Sequence, residues 1–247
     1  GYDLAHGGHP ENRMYAMNGG GLYLPDQHRL NPAMVRLAKE MGITIDRWPG
    51  GCGTHLHDWK RTIGPIGERR DWPFGLDEFM AWCDATGVTA VVTISYFVGA
   101  PQDAADMVEY LNASADGANP GGGVDWAAKR AANGHREPYG VRHFEFGNET
   151  WHGNHQDISS VAAADYARRY DRYHRAIKAV DPKAQLGILT MNSSATDQLS
   201  WTDQVLRTIT TRPDFAIEHT YHPNYRANTG KPGADVMFTA LLAAPDQ

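Results

Sequence analysis

The stretch VTAVVTISYF at 88–97 constrains this chain more than any other. It is an almost unbroken apolar, β-branched run, the pattern of a parallel strand covered on both faces. A helical pattern, LDEFMAWCDATG (76–87), precedes it and closes on glycine. Another, PQDAADMVEYLN (101–112), follows it. The same alternation runs along the chain. NPAMVRLAKEMG (31–42) has Pro32 at its start and Gly42 at its end, with Met34, Val35, Leu37, Ala38 and Met41 on one face. ITIDRWPGG (43–51) then reads as a strand ending in a turn. A Gly-rich loop and a short helix fill 113–140. VRHFEF (141–146) is a strand, 159–180 a long helix, AQLGILT (184–190) a strand, and 196–209 a helix. FAIEHTYHP (215–223) is a strand, and MFTALLAAP (237–245) the start of a helix.

Repeated strand–helix units predict a parallel α/β fold. A doubly wound sheet would carry a Gly-rich phosphate loop after its first strand. GGGLY at 19–23 has neither the spacing nor a strand before it. In a (β/α)8 TIM barrel, functional residues collect at the C-terminal ends of several strands. Arg47 with Pro49, Gly50 and Gly51, then Tyr96, Asn148 with Glu149, Asn192, and His219 with Tyr221 all fall at such ends. Five clear strands and one near 13–17 make about six of the eight βα units of a barrel. The expectation is an incomplete barrel, one domain over 1–247, without strands seven and eight or a C-terminal β domain. Such a sheet would expose a parallel edge, so a missing segment or a second chain is expected to complete it.

The formal net charge of −6 argues against a nucleic-acid partner. No apolar run has the length of a membrane span, and the first residues do not read as a signal peptide. Location, cytoplasmic or secreted, and homo-oligomer formation stay open. Cys52 and Cys83 are the two cysteines, and neither sits in the pattern of a disulfide scaffold.

The chemistry gathers in VRHFEFGNETWHG (141–153), where a strand runs into glycine and presents Asn148, Glu149 and Trp151. A carboxylate in that place can protonate a leaving oxygen, and the amide beside it can orient a substrate hydroxyl. A structural turn is the plain alternative. Other stretches join it: DRWPGGCGTHLHDWKRTIGPIGERRDWPFGLDEF (46–79), VEYLN (108–112), KRAANGHREPYGVRHFEFGNE (129–149) and IEHTYHP (217–223). In order, spacing and content they resemble the glycoside hydrolase family of the α-L-arabinofuranosidases, across roughly residues 30–245.

The resemblance implies a retaining glycosidase acting on terminal α-L-arabinofuranosyl linkages of a carbohydrate, with no cofactor and no metal. Glu149 would be its general acid/base. Asn148 would bind the sugar 2-hydroxyl. Arg47 would lie beneath the catalytic pair and keep the nucleophile ionised, its plain alternative being a pairing with Asp46 or Glu68. Cys52 would be a small pocket residue, and Trp59 and Trp72 the aromatic wall. His219 and Tyr221 would stand beside the nucleophile, on one face of their strand with Phe215 and Ile217. The family carries its nucleophile on strand seven, so the resemblance implies that it lies downstream of Gln247; Glu218 alternates to the face opposite His219 and Tyr221 and is not assigned that role. Nor is there a glutamate in MYAMNGGGLY (14–23), where the family holds its substrate. Two other readings stand: a retaining barrel enzyme for β-linked sugars, and a sugar-binding relative without the nucleophile. The pairs His55/His57, His152/His155 and His219/His222 admit a metal reading, but no acidic partner falls at convincing spacing.

Overall fold

The computed structural model describes residues 19–69, 72–151, 160–191 and 196–219. Five parallel strands form one sheet: β1 (Ile45–Trp48), β2 (Thr89–Ile94), β3 (His143–Phe146), β4 (Gln185–Thr190) and β5 (Phe215–Glu218). Their spatial order is their sequence order. Helix α1 (Pro32–Glu40) precedes β1, and α2 (Leu76–Thr86), α3 (Pro101–Asn112), α4 (Trp126–Ala132), α5 (Ala163–Val180) and α6 (Thr196–Thr208) lie in the connections between strands. GGGLY leads into a two-stranded antiparallel hairpin, Tyr23–Leu24 against Arg29–Leu30, and not into a phosphate loop. The expected strand near 13–17 and the helix at 237–245 lie outside the described residues.

Alternation decides what each strand does. Val92, Ile94, Phe144, Phe146, Leu186 and Ile188 are buried on the face that the helices cover. The other face carries Arg47, then Thr93 in register with Glu145, and Glu145 in register with Gly187. Its polar residues therefore lie side by side across three strands. On β5, Ala216 and Glu218 are exposed while Phe215 and Ile217 are half-buried. Glu218 thus stands on the face opposite Ile217, as its place in the strand predicts.

Several loops are pinned by buried charge. Arg130 is fully buried and donates to four carbonyls, those of Tyr110, Ala113, His135 and Arg136. Asp77 accepts from the hydroxyls of Tyr110 and Tyr139, and Asn133 donates to Tyr110. Burial pushes the Asp77 carboxyl above its usual range, against the lowering effect of these two hydroxyls. These bonds fix the segment 133–140 that delivers the chain into β3. Glu109, buried in α3, accepts from Gly121 N and Trp126 N and ties down the Gly-rich loop.

Helix α5 locks the sheet where the site begins. Tyr166 Oη donates to Phe146 O at 2.8 Å and accepts from Leu189 N at 2.9 Å. One hydroxyl thereby satisfies two main-chain groups where β3 and β4 part. Tyr170 donates to Leu186 O one turn further on. This helix begins at Ala163, later than residue 159, since Val161 N is held in extended chain by Thr150 O.

Candidate active site

The turn after β3 is built to hold an unfavourable backbone. Glu149 has φ +41°, the left-handed region, which costs a non-glycine residue about 1–2 kcal/mol. Gly147 before it has φ +84°, and a Cβ there would stand 3.1 Å from Thr150 Cγ2 and 3.4 Å from Leu189 and Tyr96. Gly147 N donates to Ile94 O and Ser160 Oγ to Trp151 O, so neighbouring segments fix both ends of the turn. Strain that the surroundings over-determine in this way clusters at active sites and ligand clamps.

Four strands converge on it. Arg47, from β1, donates through Nε to Glu145 Oε2 and through Nη2 to Glu145 Oε1 at 2.7 Å. The same Nη2 donates to Asn148 Oδ1 at 2.9 Å. Thr93, from β2, donates to Glu145 Oε2 at 3.2 Å. His219, just past β5, places Nδ1 2.9 Å from Glu149 Oε1 and Nε2 3.9 Å from Glu145 Oε1. One imidazole thus spans two carboxylates. The Glu145 side chain is 1% exposed and that of Glu149 16%, so only Glu149 is open to a ligand. Asn148 is buried, its Oδ1 is taken by Arg47, and its Nδ2 has no partner among the described residues. A buried amide donor of this kind calls for an acceptor from a ligand or water.

Of the residues singled out in the sequence, the structure brings Arg47, Asn148, Glu149 and His219 together. Arg47 pairs with Glu145 rather than with Asp46 or Glu68. Asp46 instead accepts from Arg47 N and from the Trp82 indole. Cys52 is part-exposed in the 3-10 turn Gly51–Leu56 that follows β1. Trp59 lies elsewhere: it is buried against Tyr110 and Trp126, and its indole donates to Asp103 O. It belongs to the layer of α3 and α4, beside the Lys60 ion pairs with Asp103 and Asp106, and not to the wall of this cluster. Trp72 is buried edge-on against His57. Tyr221, Asn192, His152, His155 and His222 lie outside the described residues.

His57 sits between Trp48 and Trp72 with neither ring nitrogen hydrogen-bonded to a described residue, and burial pulls its pKa down to about 3. His55 packs on Phe97, and its carbonyl accepts from Ser95. Among the described residues no group of three or more His, Cys, Asp or Glu is placed to hold a metal ion.

Glu145 is the site residue that sequence reasoning missed. It sits in VRHFEF, read as a strand and nothing more. A signal was present: a lone carboxylate inside a buried strand needs a counter-charge, and Arg47 inside another strand needs one too.

The signature of the α-L-arabinofuranosidase 1 domain matches residues 37–228. The chain belongs to this family. It is 29% identical to a probable α-L-arabinofuranosidase C of Aspergillus fumigatus, over 71% of this chain and 36% of that protein. It is 28% identical to an exo-α-(1→6)-L-arabinofuranosidase of Bifidobacterium longum, over 82% of this chain and 41% of that protein. The chain therefore spans well under half the length of these relatives. Among solved structures, a family 51 α-L-arabinofuranosidase of B. longum superposes with a TM-score of 0.74 at 24% identity, over 92% of this chain and 46% of that one. The Thermotoga maritima α-L-arabinofuranosidase, in its arabinose complex, gives 0.69 at 24% identity, over 85% and 43%. These likenesses identify the fold: the parallel curled sheet and its helices are part of a TIM barrel.

Proposed function

We propose that this chain supplies the acid/base half of the active site of a retaining α-L-arabinofuranosidase. The observation that carries the reading is the convergence of Arg47, Asn148, Glu149 and His219 at the C-terminal ends of the strands, in a chain of this family. In this reading Glu149 protonates the oxygen of the departing group while a second carboxylate attacks the anomeric carbon. Glu149 then takes a proton from the water that frees the arabinose. His219, 2.9 Å from Glu149 Oε1, fixes the acid's position. Asn148 Nδ2 donates to a sugar hydroxyl, the 2-hydroxyl in the family's pattern. Cys52, as a small pocket residue, and Trp72, as part of an aromatic wall, belong to this reading by the family's pattern.

Retention asks for the two carboxyl groups to lie about 5–5.5 Å apart. Glu145 does not fit the attacking role, since it is buried and both its oxygens are engaged by Arg47. Among the described residues no other carboxylate joins this cluster, so the nucleophile of this reading comes from outside them. The test is hydrolysis of an aryl α-L-arabinofuranoside by the full-length protein. Glu149→Gln should lose at least about a thousandfold in rate on an unactivated substrate, within the range general acid–base catalysis supplies. Azide should restore product from an activated aryl glycoside. Full activity in the folded Glu149→Gln variant would refute the reading, and tight sugar binding without turnover in the wild type would favour a binding protein.

A further inference from the structure

Glu145 has no part in the chemistry just described, yet its side chain accepts three hydrogen bonds within the cluster. Its two oxygens take both arms of the Arg47 guanidinium, and Thr93 supports Oε2 from the neighbouring strand. A fork-to-fork pair of this kind fixes the guanidinium plane as well as its charge. The plane matters because Nη2 serves two acceptors at once, Glu145 Oε1 at 2.7 Å and Asn148 Oδ1 at 2.9 Å. The second bond decides which way the Asn148 amide faces. With Oδ1 turned to Arg47, Nδ2 is the atom left without a partner among the described residues. Gly50 belongs to the same device. A Cβ there would come 3.2 Å from Arg47 Nη1, so glycine leaves the guanidinium its room.

We propose that Glu145 is a positioning residue for sugar recognition: through Arg47 it locks the Asn148 amide so that a donor, and not an acceptor, meets the sugar hydroxyl. This rests on the sugar-binding reading of Asn148 given above. In Glu145→Gln one carboxylate oxygen becomes an amide nitrogen that faces an Arg47 N–H, donor against donor. The fork opens, Asn148 Oδ1 loses its fixed donor, and the amide is free to turn over.

The test measures equilibrium binding of a phenyl 1-thio-α-L-arabinofuranoside and of its 2-deoxy counterpart to the full-length protein. The ratio of the two affinities reports the Asn148 contact directly, and a purely structural role for Glu145 would not move it. Wild type should prefer the 2-hydroxy ligand by about tenfold, the worth of one well-made hydrogen bond. Asn148→Ala should abolish the preference, and Glu145→Gln should reduce it to about twofold or less. The double variant should be no worse than Asn148→Ala alone, as expected for residues acting through one contact. Glu145→Asp keeps the charge on a shorter stem and should show an intermediate ratio, which serves if the Gln variant does not fold. A wild-type ratio in folded Glu145→Gln or Glu145→Asp, with Asn148→Ala abolished, overturns this inference alone. An unchanged ratio in Asn148→Ala overturns the sugar-binding reading and the inference with it.

Discussion

Gly75 opens α2 within the FGLDEF stretch, and alanine there should be costly for a reason unrelated to backbone freedom. Its φ is −118°, which any residue adopts. A Cβ, however, would stand 1.9 Å from Thr62 O and 2.7 Å from Arg69 Nη1. Neither neighbour can step aside cheaply. Thr62 is fully buried, its hydroxyl donating to Trp59 O and its carbonyl accepting from Arg69 Nη1 at 2.8 Å. Arg69 is held in turn by both oxygens of Glu78, which also accepts from Gly75 N. Overpacking of a tight site costs about 1–3 kcal/mol. Losing the charged hydrogen bond to Thr62 O adds about 1.5–3 kcal/mol. Gly75→Ala should therefore lose about 2.5–6 kcal/mol, a large part of the roughly 5–15 kcal/mol that holds a domain folded. Gly87, closing the same helix, is the control: its φ is +80° and nothing lies within 4 Å of a Cβ. Gly87→Ala meets only the left-handed backbone penalty, about 1–2 kcal/mol. Urea unfolding of both variants, followed by tryptophan fluorescence and far-UV circular dichroism, measures the two losses. A Gly75→Ala protein as stable as Gly87→Ala or more so would refute the steric argument.

Asp171 accepts from four donors, the N–H and the hydroxyl of both Thr210 and Thr211, tying α5 to the chain that enters β5. Burial pushes its carboxyl up, but these bonds outweigh it and leave the group below its usual range. A carboxylate depressed in the folded state stabilises above the unfolded value of about 3.9 and loses that contribution as pH falls through the folded one. Asp171→Asn should thus unfold at lower urea than wild type at pH 7, with the gap narrowing below about pH 4; a gap constant across that window would contradict the assignment. Cys83 is buried and, by burial above all, pushed up to about 12. A disulfide reagent at pH 8 should therefore label Cys52 in the native protein and Cys83 only in denaturant, as read by mapping the labelled peptides. Rapid native labelling of Cys83 would show that α2 is not packed as described.

The strands and helices were legible because their signals are local. A β-branched run such as 88–97 and the proline–glycine bracket around 32–42 depend on nothing far away. The Asn148–Glu149 turn was legible too, since its motif lies within a few residues. Glu145 was not, because its meaning rests on Arg47, two strands away in the sheet, and nothing within VRHFEF names that partner. Trp59 misled for the converse reason. An indole beside a site motif suits a sugar face, but only packing shows that Tyr110 and Trp126 already occupy it. Gly75, Glu78, Asn133 and Tyr139 belong to motifs that mark the family, and in the structure they cap helices and anchor loops rather than touch the Arg47–Glu149 cluster.

The neighbour-to-neighbour order of the sheet bears on how the chain is made. Each described strand after β1 pairs with the one that left the ribosome just before it. No strand has to wait for a later one to fill a gap on its N-terminal side, so β1 to β5 can be laid down in sequence during synthesis. Arg47 emerges first and Glu145 only two strands later. Until β3 docks, a nascent chain carries that guanidinium without its counter-charge. Pausing translation between residues 100 and 140 would therefore prolong the time that Arg47 spends hydrated and without Glu145, beside a β2 strand that carries no charge of its own.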